Sequence, residues 1–117
     1  MVTVLIVPET EQYAFNVSHE NLVWVNKKLG VPDLRKHNTR YIAPLWLREP
    51  AGINRVYHIR KTNHLEDCTE YLLGNSFVLD NPWNNPAQRR RFEYLPLSDL
   101  GFSELQDGVL ICKNWHE

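Results

Sequence analysis

Trp24, Tyr41, Trp46 and Tyr57 fall on three stretches that read as strands able to lie side by side, and Arg55 and His58 flank the last ring. Rings in that arrangement suit a flat nucleobase. Stacking on an aromatic side chain is worth about 1–3 kcal/mol per base and is indifferent to base identity. A base pocket also needs a polar group for the base edge, and Arg55, His58 or Asn26 can supply it. The competing reading is plain core, because Trp and Tyr bury large areas in small β domains. A second set is basic. Arg60 and Lys61 follow His58 directly, and Arg89, Arg90 and Arg91 run together after a Pro/Asn-rich stretch. Guanidinium forks match phosphate oxygens, so these five are candidate phosphate ligands. Arg91 paired with Glu93 on an ordinary solvated turn is the alternative.

Other chemistries are poorly provided for. His58, His64 and Cys68 fall within eleven residues, but zinc needs four ligands, or three plus water. His37 or Asp67 would have to complete the set, and there is no C-x-x-C or H-E-x-x-H string. No G-x-S-x-G elbow is present. A Cys68–His64 thiolate pair oriented by Glu66 or Asp67 would rest on four neighbours in one polar loop. The five glycines are isolated, so no phosphate-cradling glycine loop exists. The reading therefore includes no cofactor, no metal and no catalytic residue.

The charge is unevenly spread. Residues 1–26 carry three acids and no base, residues 27–61 sum to +7, and residues 62–117 sum to −5, for a net charge of −1. A basic middle between acidic ends is compatible with a polyanion-binding face. Strand alternation would instead scatter these charges over both faces. With 117 residues, 43% hydrophobic and 23% charged, the chain reads as one domain able to bury its own core. No apolar run approaches the ~20 residues of a spanning helix. Two cysteines do not make a disulfide scaffold, and the N-terminus lacks a basic signal-peptide region. A cytoplasmic protein is expected, with no membrane partner.

These residues need strands to position them. Residues 2–7 form a β-branched run before Pro8, and residues 21–26 (NLVWVN), 40–48 (RYIAPLWLR), 53–61 (INRVYHIRK), 91–95 and 108–115 follow as strands. Pro44 implies an edge or a bulge. Residues 40–48 and 53–61 make a hairpin around Glu49-Pro50-Ala51-Gly52. Residues 69–79 read as two short strands broken by a tight turn at Gly74-Asn75, and residues 62–68 and 80–87 as irregular. Residues 9–17 and 98–106 read as short helices. In 53–60, alternation puts Ile53, Arg55, Tyr57 and Ile59 on an inward face, and Asn54, Val56, His58 and Arg60 on a wetter one.

A strand ending Val7-Pro8, a Trp-bearing strand, then Arg40-Tyr-Ile-Ala43 and Ile53-Asn-Arg-Val-Tyr-His-Ile59 together resemble prokaryotic proteins of the PUA-like superfamily, which includes the EVE, ASCH and YTH domains. The resemblance covers residues 2–60, and more loosely residues up to Leu97. It implies a mainly β fold with short helices (α+β), a PUA-like mixed β-barrel, and binding of nucleic acid or a modified base. Two features depart from that pattern. The His common in the second paired strand is Arg55 here, and no G-x-K-x-x-E-x-R string occurs. The expected function is a nucleic-acid-binding module, for DNA or RNA, holding a nucleobase in an aromatic pocket. The alternatives are an accessory subunit of a defence or restriction system that docks a protein partner, and a small metal-dependent hydrolase or nuclease.

Overall fold

In a computed structural model, the structure describes residues 1–9, 15–18, 21–26, 33–47, 52–64, 66, 69–83, 93–106 and 108–112. Nine strands occur among them. These are β1 (Thr3–Glu9), β2 (Phe15–Ser18), β3 (Asn21–Asn26), β4 (Thr39–Trp46), β5 (Ile53–His64), β6 (Thr69–Trp83), β7 (Glu93–Pro96), β8 (Phe102–Gln106) and β9 (Val109–Cys112). The first seven form one sheet in the order β2-β3-β6-β5-β4-β1-β7, and β8-β9 is a separate hairpin. All neighbours in the large sheet are antiparallel except β1 and β4, which run parallel from Thr3↔Thr39 to Glu9↔Trp46.

This corrects the barrel expectation. The sheet has two ends, β2 and β7, and no ladder joins them among the described residues, so it is open. The α+β content is corrected too, because the described residues contain no α-helix. The helical pattern at Leu100, Phe102 and Leu105 resolves into a 3-10 turn at Leu97–Leu100 followed by β8. Gly101 separates them in the left-handed region at φ 88°, where a residue without Cβ is unstrained. The other expected helix ends on β2, and residues 10–14 lie outside the described residues.

Among the described residues, the middle of the sheet is buried on both faces. On one, Val4, Ile6, Tyr41, Ala43, Val56 and Leu79 pack with Phe102 and Leu110 of the hairpin and Leu97 and Leu100 of the 3-10 turn. Phe77 meets Phe102 edge-on, with centroids 6.4 Å apart. On the other, Leu5, Val7, Ile42, Tyr71 and Leu73 pack with Leu34, Trp46, Tyr57, Ile59 and Tyr94. The assignment of one inward and one wet face to β5 therefore fails, for an identifiable reason. Between Ile53 and Arg55 the pairing with β6 is irregular, two steps on β5 facing five on β6, and an odd shift in register breaks the alternation. Ile53 thus shares its cluster with Val56.

Pro44 lies on an interior strand and not at an edge. The β4–β5 ladder consists of Tyr41↔His58 and Ile42↔Tyr57 and stops before Pro44, which has no N–H to give it. Contact resumes at Trp46 and Gly52, whose backbones exchange hydrogen bonds of 3.0 and 2.9 Å. Gly74-Asn75 is likewise no turn. It is a bulge inside β6, a single strand from Thr69 to Trp83.

Candidate functional site

At the start of β4 a groove of about 400 Å³ opens, lined by Leu34, Thr39, Arg40, His58, Ile59, Arg60, Lys61 and Thr62. It exists because β5 runs beyond β4. β4 begins at Thr39, whereas β5 continues past Ile59 to His64, paired only with β6 among the described residues.

Bulges shape its wall. Tyr57 pairs with Ser76, Ile59 with Leu73 and Lys61 with Leu72. β6 therefore carries an extra residue at Gly74-Asn75, and β5 carries one at Arg60. A bulge bends its strand and re-aims the side chain it carries. A Cβ on Gly74 would stand 2.7 Å from Cγ and Cδ of Arg60, so the Arg60 stem lies directly across the glycine. The same point is 3.7 Å from Nδ1 of His58. Gly74 thus supports both side chains.

The His58 ring is held on two further sides. Its centroid is 5.4 Å from that of Tyr41, and its atoms stand 3.1–3.4 Å from where a Cβ on Gly108 would be. Gly108 has φ 81°, so the hairpin backbone there requires glycine as well as the space it leaves. The Tyr41 hydroxyl donates to Glu104 Oε2 at 2.5 Å, and Arg40 Nη1 donates to Glu104 Oε1 at 3.0 Å. Glu104 of β8 therefore fixes Arg40 at the groove and ties the hairpin to β4.

The rim is equally anchored. Thr3 Oγ1 donates to the His37 carbonyl at 2.8 Å and meets Thr39 Oγ1 at 2.6 Å. A hydroxyl has one proton, so Thr39 is the donor in the second bond. The Asp33 N–H donates to the Tyr94 hydroxyl at 2.9 Å, and Asp33 Oδ1 accepts the Lys36 N–H. His37 stacks on Tyr94 at 3.8 Å and 15°. Asn38, at φ 52°, donates from its amide to the Met1 carbonyl. Between Leu34 and Thr39 this turn presents Arg35 and Lys36 to solvent.

The candidate residues separate into two groups. His58, Arg60 and Lys61 line the groove, whereas Tyr41 lies on one face of the sheet and Trp46 and Tyr57 on the other. Tyr41 is 0% exposed and belongs to the core under the hairpin. Trp46 and Tyr57 pack on the opposite face. Arg55 sits beside Tyr57, lowering that phenol's pKa although burial raises it by more, and donates to Ser76 Oγ at 2.7 Å. Trp24 lies on β3 opposite Phe15 and Tyr71, with its side chain outside the described residues. Arg89, Arg90, Arg91 and Cys68 also lie outside them.

Among the described residues, no three His, Cys, Asp or Glu side chains converge as a metal site, and no helix is long and apolar enough to cross a membrane. Sequence reasoning missed Arg40, Glu104, Gly74 and Gly108. Two signals existed: an isolated glycine within a β-forming run marks a close approach, and Asp107-Gly108 is a hairpin dipeptide.

No family model matches this chain. Neither does any curated protein or solved structure. The PUA-like assignment, drawn from short apolar strings, is thus overturned by the open sheet and by the lack of any match.

Proposed function

We propose that the protein is a binding module for single-stranded nucleic acid that grips phosphates in the groove at the start of β4. The observation that carries this reading is the convergence of Arg40, His58, Arg60 and Lys61 on one groove, with Arg35 and Lys36 on its rim. Five of the nine bases of the +7 segment thereby gather at one place. Arg40 is ion-paired with Glu104. Among the described residues no acid lies within ion-pair distance of Arg60 or Lys61, so their charge is available to a ligand. The reading assigns no stacking walls, because Tyr41 is core and Trp46 and Tyr57 pack on the other face. Affinity would come from counterion release, with weak preference among bases.

The test is a backbone-amide chemical-shift titration with a short oligothymidylate at low salt. The expected result is a perturbed set centred on Thr39, Arg40 and residues 58–62. Shifts confined to the hairpin, or none at all, would overturn the reading. Protein docking has one observation in its favour, the exposure of Leu105 (68%) and Ile111 (48%) on the hairpin. Binding through those side chains would be insensitive to ionic strength, unlike binding through the groove.

A further inference from the structure

We infer that the groove receives the terminal phosphomonoester of a strand, in preference to an internal phosphodiester. This rests on the nucleic-acid reading above and narrows its ligand.

The groove is open to solvent, and the side chains at its head are held in place by their packing. Arg60 and His58 are seated on the same glycine, at 2.7 and 3.7 Å from where its Cβ would be. Both strands carry a bulge there, so the juxtaposition is built into the sheet. His58 is pressed between Tyr41 and Gly108. Tyr41 holds Glu104, and Glu104 holds Arg40. A continuous chain of contacts therefore fixes Arg40, His58 and Arg60 relative to one another, with Lys61 beside them. Donors fixed before the ligand arrives lose little freedom on binding it.

The charge arithmetic favours a terminal group. A phosphodiester carries one negative charge and two unesterified oxygens. A phosphomonoester carries about −1.5 to −2 at pH 7 and three strong acceptor oxygens. Three cationic side chains and a ring nitrogen around one groove, with one cation shared with Glu104, suit the second better. At about 400 Å³ the open groove has room for one terminal nucleotide. Leu34 and Ile59 supply its apolar lining.

The experiment compares one oligonucleotide sequence in three forms, 5′-phosphorylated, 3′-phosphorylated and hydroxyl-ended, by anisotropy of an internal label. One phosphorylated form is expected to bind at least about tenfold tighter than the hydroxyl-ended strand, and its polarity identifies the end recognised. Arg60→Ala should abolish that difference. Arg60→Lys, which keeps the charge but loses the fork, should reduce it. Lys36→Ala on the rim should weaken all three forms alike and leave the difference intact. Equal affinities for the three forms, each weakened by Arg60→Ala, would overturn this inference and leave the nucleic-acid reading standing. No binding of any form at low salt would overturn both.

Discussion

Glu104 is the residue that the groove and the hairpin share. Its two oxygens accept from Tyr41 and Arg40, and hydrogen bonds to a charged group are worth about 1.5–3 kcal/mol. Tyr41→Phe is expected to destabilise the fold by that amount in urea unfolding, because the carboxylate keeps Arg40 but loses its buried donor. Glu104→Gln should cost a similar amount and also release Arg40. Gly74→Ala separates packing from binding. A Cβ there collides with the Arg60 stem, so Arg60 must leave its place. Strand propensity itself changes little. The variant is expected to fold with a near-normal urea midpoint and to bind oligonucleotide several-fold more weakly. Unchanged affinity would mean that Arg60 placement is immaterial.

At the scale of elements, the hairpin is the cover of one sheet face. Phe102 is buried against Phe77, Leu97 and Leu110. Phe102→Ala is expected to cost about 3–5 kcal/mol, read as a lowered urea midpoint. A loss below about 1 kcal/mol would show that β8-β9 contributes little to the core. The elements also show what local pattern can and cannot reveal. The run NLVWVN at residues 21–26 announces β3 over its full length, because alternation and β-branching are local properties. Gly74-Asn75 misleads because a turn and a bulge use the same residue types. What distinguishes them is the partner strand, far away in sequence. The parallel pairing of β1 with β4 was not legible for the same reason. Arg60 and Lys61 stand out in the sequence from their type and neighbours, and the structure places both on the groove. The place of Arg40 beside them was not legible, because it is set by Glu104, 64 positions away. The aromatic set was read from rings on strands expected to be neighbours, and local pattern does not say which face a bulged strand presents.

At the scale of the molecule, burial on both sheet faces leaves a titratable signature. Burial pushes the Tyr71 phenol up to about 12, with the Tyr94 phenol adding to the effect. Burial also raises Tyr94, against the Asp33 N–H that donates to it, and it raises Tyr57. In the unfolded chain these phenols lose their protons near pH 10, while the folded protein still holds them. The native state therefore binds more protons above pH 10, and stability falls as pH rises from about 10 toward about 12. The urea midpoint is expected to decline over that window, with a shallower decline in Tyr71→Phe. A midpoint independent of pH up to 12 would contradict burial of these rings.

Binding of a nucleic-acid strand through its phosphates is the role proposed for the basic groove. It is tested most directly by oligonucleotide affinity as a function of salt, for the natural protein and for an Arg60→Ala/Lys61→Ala double variant. Each neutralised phosphate on a single strand contributes about −0.7 to the slope of log K against log salt. Phosphate contacts in the groove therefore predict a clearly negative slope, and a shallower one in the double variant. Failure to bind at low salt, or a slope that the double substitution leaves unchanged, would contradict the account.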